Sequence, residues 1–211
     1  GQYIRVPEDW AVKLPENLSM KEAMIIGTAG LTAGMSVLRL TELLKPKDGK
    51  IVVSGATGGV GALSVSILRK LGYSVVAITG KETERDYLIH LGAEEVLLRS
   101  EVEDFAKKPL LKPLFAGAID TVGGVILENI IKSTDSIGVV TCCGNVASIK
   151  LNLTVFPFIL RGVRLIGIDS VECKIEKKIA AWEKIASDFK IENLAQLTNE
   201  ISLDEIKDAY D

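Results

Sequence analysis

Several residue types that build common functional sites are scarce in this chain of 211 residues. It contains one histidine, His90, and three cysteines, and no Cys-x-x-Cys pair occurs. A zinc site needs three or four such ligands at suitable spacing, so the sequence predicts no metal site. We interpret Cys142, Cys143 and Cys173 as reduced thiols of a cytoplasmic protein.

An excess of positive charge and a long apolar run are also lacking. The 25 Lys and Arg residues against 28 Asp and Glu residues give a net charge of -3, whereas a nucleic-acid-binding face is basic. No apolar run reaches the length that spans a bilayer, and no secretory signal opens the chain. We therefore expect neither nucleic acid nor a membrane as a partner.

A β-branched run, a glycine-rich turn and a helical segment follow one another over residues 51–71. Gly55 permits a tight turn, Gly58 and Gly59 let the backbone approach a pyrophosphate, and Gly61 lets the helix pack on the strand. The helix start then directs free N–H groups and a positive dipole end at the phosphates. This order is typical of a dinucleotide-binding site, and a tight turn without a ligand is the alternative.

Strands and helices alternate from residue 50 onward, which predicts an α/β fold. We expect a Rossmann-like, doubly wound parallel sheet of about six strands that is covered on both faces. The predicted strands are 51–54, 74–78, 95–98, 115–119, 137–141 and 163–168. The predicted helices are 59–71, 83–91, 101–107, 123–132 and 174–188.

The segment before the sheet is predicted to contain two helices. Ser19 and Glu22 fit a capping box that starts the first, which ends near Ile26. Residues 27–34 are predicted to form a small-residue turn before a second helix that ends near Leu44. Thr28 and Thr32 in this turn are candidates to line a nicotinamide pocket, and hydrogen bonding at a helix end is the simpler interpretation. The chain before residue 19 is predicted to be extended.

The end of the second strand indicates which nucleotide would bind. A site for NAD carries an acidic residue there, whereas this chain has Thr79, Gly80 and Lys81. A hydroxyl, a free N–H and an ammonium favour a 2′-phosphate, and Arg99 after the third strand adds a second cation. We therefore favour NADP(H), while Glu82 keeps NAD(H) and ordinary solvated charges as alternatives.

These motifs resemble the zinc-free quinone oxidoreductase branch of the medium-chain dehydrogenase/reductase superfamily. The resemblance is strongest to its YhdH/YhfP group, which includes the acrylyl-CoA reductases. The stretches that carry the resemblance are residues 26–33, 54–61, 117–123, 157–163 and 165–171. Short-chain dehydrogenases are excluded, because no tyrosine here is followed four residues later by lysine.

The resemblance implies a set of positions that hold NADPH. Thr79, Gly80 and Lys81 would hold the 2′-phosphate, with Arg99 nearby. The pyrophosphate would lie on Thr57, Gly58, Gly59 and Val60, and the nicotinamide half on Asn145, Ile159 and Ser170. Core packing is the alternative for Ile159. Asp120, at a predicted strand end, is interpreted as structural, and no catalytic residue is predicted in this chain.

The resemblance also implies domains and an activity. Residues 1–18 would end an N-terminal barrel-like (GroES-like) catalytic domain, 19–49 would be connecting helices, 50–190 the NADP-binding domain, and 191–211 the start of a C-terminal return segment. The expected activity is NADPH-dependent reduction of a quinone, an enal or an enoyl thioester, without zinc. The alternative is a catalytically silent NADPH-binding module or redox sensor, with adjacent Cys142 and Cys143 as its thiols.

The family commonly forms homodimers through the last part of the sheet. Residues 164–168 would be the edge strand that pairs with a second copy, because an unprotected edge invites pairing. An inner strand is the alternative, since the sequence does not settle the strand order.

Overall fold

A computed structural model describes residues 3–105, 108–192 and 194–207. Six strands in this part of the chain form one sheet in the order β3-β2-β1-β4-β5-β6, and all paired strands are parallel. The strands are β1 (Ile51–Ser54), β2 (Val75–Thr79), β3 (Glu95–Leu98), β4 (Phe115–Asp120), β5 (Thr134–Cys142) and β6 (Arg164–Gly167). This order confirms the predicted doubly wound sheet. Successive strands are added to one side of β1 as far as β3, and from β4 onward they are added to the other side, so the strand order reverses between β1 and β4.

Helices cover both faces of the sheet. They are α1 (Met20–Thr41), α2 (Gly59–Lys70), α3 (Arg85–Leu91), α4 (Arg99–Glu103), α5 (Gly124–Lys132), α6 (Phe156–Arg161) and α7 (Ile175–Ile185). The central strands β1, β2 and β4 are buried along their whole length, as a sheet between two helix layers requires. Ile51 and Val53 pack into a core with α1, α2 and α7, whereas Val52 packs into a second core with α4 and α5.

The segment 20–41 corrects the prediction of a turn at residues 27–34. The capping box of Ser19 and Glu22 is present, but only Gly27 leaves helical geometry, with φ of 49°. The small residues after it serve close packing between helices instead. A Cβ at Gly34, for example, would lie only 2.8 Å from the side chain of Ile185 in α7. Helix α1 then ends at Thr41, before the predicted Leu44.

Helix α1 also corrects the expectation that no segment has the length and apolarity of a membrane span. By length and composition alone, this 22-residue helix meets that criterion, with a mean hydropathy of 1.4 over an 18-residue window. The fold gives a reason for this composition, because Ala33, Val37 and Leu40 are fully buried in the core that α1 forms with α2 and the sheet.

Other differences are local. Helix α6 was not predicted, and β5 begins at Thr134, three residues before the predicted start, where Thr134 pairs with Phe115 ahead of a shift in register. Helix α4 begins at Arg99 and ends at Glu103. The predicted helix 101–107 therefore begins two residues after the observed start and extends beyond the observed end. Residues 106–107 of that prediction, and 1–2, 193 and 208–211 of the predicted terminal segments, lie outside the described residues. Strand β6 forms one edge of the described sheet, as predicted.

Candidate functional site

The turn between β1 and α2 can only be made by glycine at two positions. Gly55 has φ of 60°, in the left-handed region that favours glycine. A Cβ on Gly61 would overlap the carbonyl oxygen of Gly55 and lie 2.7 Å from Cα of Ala56. The absence of side chains at both positions therefore brings the start of α2 directly against the end of β1.

The start of α2 is free to bind an anion. Gly58 is the N-terminal cap and has no side chain to accept a hydrogen bond from the first turn. Gly58 and Gly59 are exposed, while Thr57 and Val60 are half-buried beside them. Backbone N–H groups in the first turn of a helix lack helical partners and attract negative charge, so this turn fits a pyrophosphate.

The point where the strand order reverses is tied together by Asp120. Its carboxylate accepts hydrogen bonds from the Ser54 hydroxyl at 2.6 Å and from the Gly123 N–H at 2.9 Å. The Thr121 hydroxyl donates to the carbonyl oxygen of Ser54 at 3.0 Å. These bonds join the carboxyl ends of β1 and β4, and they agree with the structural role predicted for Asp120. Burial raises the pKa of its carboxyl group above the usual range, and the hydrogen bond from Ser54 opposes this rise.

The carboxyl end of β2 gathers the predicted 2′-phosphate residues. Thr79 is buried, and its hydroxyl accepts a hydrogen bond from the Lys81 N–H at 3.0 Å. A Cβ on Gly80 would lie 2.8 Å from the Arg99 guanidinium, so that guanidinium lies directly against Gly80. Lys81 and Arg99 are exposed, and within the described ranges no ion pair joins either of them to a carboxylate. Two cations thus stand at the end of β2.

Asn145 lies in an open groove at the carboxyl ends of β5 and β6. The groove has a volume of about 450 Å³ and is also lined by Cys142, Cys143 and Ile168. Asn145 is exposed and follows β5 by three residues. The structure therefore places Asn145 at the same edge of the sheet as the glycine turn.

The other two predicted nicotinamide residues lie apart from each other. The hydroxyl oxygens of Ser170 and Thr32 are 2.8 Å apart, which brings the loop after β6 against α1. Ile159 is 67% exposed in α6, the helix that crosses from β5 to β6. Its neighbour Arg161 donates to the carbonyl oxygen of Thr134 at the start of β5, so α6 runs toward the amino edge. Ile159 is not among the residues that line the groove of Asn145.

Thr28 and Thr32 make helical contacts. The Thr32 hydroxyl donates to the carbonyl oxygen of Thr28 at 2.8 Å, one turn earlier within α1, whereas the simpler interpretation predicts such a hydrogen bond at a helix end. Thr32 is buried and Thr28 is exposed.

The two adjacent cysteines face opposite sides of the sheet. Cys142 packs against the core of α4 and α5, and Cys143 lies near Ser36 of α1. Burial, with smaller contributions from Asp120 and Cys142, raises the pKa of the Cys143 thiol to about 11. Burial also raises the pKa of Cys142. Reactive cysteines need the thiolate near neutral pH, so this pair is poorly suited to fast redox chemistry. In the part of the chain that is described, no three His, Cys, Asp or Glu side chains are grouped to hold a metal ion.

Sequence reasoning missed two parts of this site. Ser54 and Thr121 join β1 to β4, and Ala29 of α1 borders Gly59, where an added Cβ would lie 3.1 Å from the Ala29 Cβ. A polar residue that ends an otherwise apolar strand, as Ser54 does, is the one signal that was available. The contact of Ala29 joins distant segments and leaves no local signal.

The sequence pattern of the zinc-binding dehydrogenases matches residues 59–187. Among curated proteins, the chain is 47% identical over 207 residues to YhfP of Bacillus subtilis, named as a quinone oxidoreductase. It is 46% identical over 206 residues to AcuI of Escherichia coli, named as an acrylyl-CoA reductase. Both matches cover 97% of this chain but only 63% of the relative, so the chain spans less than two thirds of these proteins.

Solved structures with the same fold carry nicotinamide nucleotides. YhdH of Salmonella enterica in complex with NADP has a TM-score of 0.92 and 44% identity. YhfP of Bacillus subtilis with NAD bound has a TM-score of 0.93 and 48% identity. Each match covers 97% of this chain and 63% of the other.

Proposed function

The chain belongs to the zinc-binding dehydrogenase family, and we propose that it is the cofactor-binding part of an NADP(H)-dependent oxidoreductase. The observation that carries the proposal is the edge formed by the glycine turn before α2 and by the Arg99 guanidinium on Gly80. A helix start without a capping side chain suits a pyrophosphate, and two cations at the end of β2 suit a 2′-phosphate.

The site residues contact different parts of the cofactor in this proposal. Gly58 and Gly59 admit the pyrophosphate to the helix start, while Lys81 and Arg99 neutralise the 2′-phosphate. Asn145 lies at the nicotinamide end. When bound, the nicotinamide supplies the hydride, and the protein orients it and excludes competing reactions.

Discrimination between the two cofactors tests the proposal. Loss of a charge-assisted hydrogen bond reduces affinity by about ten- to a hundredfold. Lys81→Ala and Arg99→Ala should therefore weaken NADPH by about that factor and leave NADH within about twofold. Fluorescence titrations with both cofactors measure this.

Lys47→Ala is the matched control, because Lys47 is exposed in the turn before β1, at the opposite edge of the sheet. It should bind both cofactors as the unmodified chain does. Equal losses for NADPH and NADH in the Lys81 and Arg99 variants would overturn the 2′-phosphate assignment. Tighter binding of NADH than NADPH by the unmodified chain would favour the NAD alternative, for which the NAD complex of YhfP is a precedent.

The proposed substrates are a quinone or an enoyl thioester, by analogy with the relatives named above. Reduction proceeds without zinc in this proposal, as the resemblance to the zinc-free branch implies. The test is oxidation of NADPH, followed by absorbance, with acrylyl-CoA and with a benzoquinone. It requires the protein to carry the N-terminal part that the resemblance implies. Turnover of neither compound, with intact NADPH binding, would favour the silent module.

The redox-sensor alternative is the weaker one. A sensor needs a thiol that ionises readily, whereas burial raises the pKa of both Cys142 and Cys143. The three cysteines are free, which suits the reducing cytoplasm proposed as the compartment.

A homodimer that pairs two β6 strands completes the proposal. Strand β6 is an edge of the described sheet, and Arg164 and Gly167 on it are exposed. Exposed strand edges pair readily with a second copy about a twofold axis. Sedimentation over a series of concentrations tests this, and a monomer at every concentration would contradict it.

A further inference from the structure

The loop that carries Asn145, residues 143–153, is held by few apolar contacts. Val146 and Ile149 are each 84% exposed, and Leu151 is 39% exposed. Leu153, at the end of the loop, packs against the core of α4 and α5, and the segment before it is attached mainly by hydrogen bonds.

The first half of the 143–153 loop is attached to the turn between β4 and α5 by backbone groups. The Cys143 N–H donates to the carbonyl oxygen of Asp120 at 3.0 Å, and the Ala147 N–H donates to that of Val122 at 2.9 Å. Ser148 forms an isolated parallel bridge with Gly123. Asn145 lies between these attachments, which flank it on both sides and fix the backbone of this half of the loop.

The second half of the loop is attached by a side chain. Glu128, in the middle of α5, is only 7% exposed, and its Oε1 atom accepts a hydrogen bond from the Asn152 N–H at 2.7 Å. Within the described ranges, this is the one hydrogen bond that a side chain outside the loop makes to a backbone group of the loop. The adjacent buried Asn129 instead bonds the carbonyl oxygen of Val102 in α4.

A carboxylate at this buried position of α5 needs a hydrogen-bond partner, because burial of a charged group is unfavourable unless the group is paired. The partner that Glu128 has is the Asn152 N–H of the loop. The role of Glu128 therefore lies outside α5, because its carboxylate contacts the loop.

We propose that Glu128 is a positioning residue for the nicotinamide side of the site. Its carboxylate holds the far end of the 143–153 loop, beyond the backbone attachments that flank Asn145, and so limits how far the segment that carries Asn145 can move. This inference rests on the proposed function, because it assigns that edge to the nicotinamide half of NADPH.

Two substitutions separate the acceptor from the bulk of the side chain. Glu128→Gln keeps an acceptor oxygen for the Asn152 N–H, whereas Glu128→Met keeps the length and volume with only a weakly accepting sulfur. Glu22→Met is the matched control, because Glu22 accepts a hydrogen bond of the same 2.7 Å length from the Ser19 N–H, at the start of α1. All variants are compared by thermal unfolding before binding is measured.

The experiment measures affinity for NADPH and for 2′,5′-ADP, which is the adenosine half alone, together with amide hydrogen exchange in the free protein. Glu128→Met should weaken NADPH by about tenfold and leave 2′,5′-ADP within about twofold. Glu128→Gln should restore most of the NADPH affinity. Exchange should be faster in residues 143–153 of the Met variant only.

Unchanged NADPH affinity in Glu128→Met, equal losses for both ligands, or failure of Glu128→Gln to restore affinity would each overturn the proposal. Failure of the unmodified chain to bind either ligand would instead overturn the proposed function. In that case, the exchange of the 143–153 amides still decides whether Glu128 holds the loop.

Discussion

The two halves of the carboxyl edge are built in different ways. In the half formed by β1, β2 and β3, the site residues lie in short turns, since Gly80 directly follows β2 and Thr57 lies in the four-residue turn between β1 and α2. In the half formed by β4, β5 and β6, Asn145 stands in a long loop that α5 and the turn after β4 hold in place. The adenosine half is thus specified by local turns, and the nicotinamide half by contacts between segments distant in the sequence.

This difference determines how each half responds to change. A local turn depends on the backbone of a few residues, so a single added side chain can destroy it. A loop held by dispersed hydrogen bonds loses its contacts one at a time, and each loss is smaller. Substitutions should therefore have large effects in the first half and graded effects in the second.

Gly61→Ala should give the largest effect. A Cβ at this position would overlap the carbonyl oxygen of Gly55, so either α2 or the turn must move. Overpacking of this kind costs about 3 kcal/mol in the free energy of unfolding. Urea denaturation measures it, and binding of 2′,5′-ADP should be lost as well. Gly167→Ala is the control, because a Cβ there meets nothing within 4 Å. A loss no greater than that of the control would show that the turn tolerates change.

Gly80→Asp should change the cofactor preference from NADPH to NADH. The new carboxylate would stand against the Arg99 guanidinium and repel the 2′-phosphate. NADPH affinity should fall about a hundredfold, while NADH affinity stays within about threefold, since a carboxylate at the end of β2 is the usual partner of the ribose hydroxyls. Paired titrations with the two cofactors give the ratio. An unchanged ratio would mean that the 2′-phosphate lies elsewhere.

The sheet and the glycine turn were predictable because their signals are local. Apolar strands bounded by turns repeat along the chain, and all six predicted strands are found with their ends within three residues. The glycine turn is specified within one short segment of sequence. The group at the end of β2 could be predicted for the same reason, since Thr79, Gly80 and Lys81 are consecutive in the sequence.

The errors arise where one residue type serves two purposes. The small residues after Gly27 resemble a turn, but they continue α1. Within α1, Gly30 leaves room for Ile26 and Leu63, and Gly34 leaves room for Ile185 of α7. Helix α6 was missed because its six residues, which include Pro157, are too few to show helical periodicity.

The role of Glu128 could not be predicted from sequence. A glutamate within a predicted helix normally lies at the surface, and only the folded chain brings Asn152 to it. The same holds for Ser170 and Thr32, which are 138 positions apart in the sequence.

The thiol of Cys143 tests the environment at the end of β5. Its pKa is raised to about 11, so the thiolate fraction, and with it the rate of alkylation by iodoacetamide, should rise about tenfold per pH unit up to about pH 11. Pulsed alkylation followed by mass spectrometry measures this rate. The same measurement in denaturant is the control, and there the rise should end near the ordinary thiol pKa of about 8.5. A plateau at that lower pH in the folded chain would show that Cys143 is not held in the buried position described.

Ile137→Gly should have the smallest effect and the opposite sign. Ile137 lies in β5 near its amino end with φ of 63°, a conformation that a β-branched residue adopts only under strain, and its side chain is 64% exposed. Glycine relieves the strain and loses little burial, so the free energy of unfolding should rise by about 1 kcal/mol. Ile149→Gly is the control, because Ile149 is more exposed and has no positive φ, so its replacement should give no gain. Cofactor affinity should stay unchanged, since Ile137 lies toward the amino edge of the sheet. A change in NADPH affinity without a change in 2′,5′-ADP affinity would show that strain there reaches Asn145 along β5, and the nicotinamide half would then depend on an even wider set of contacts.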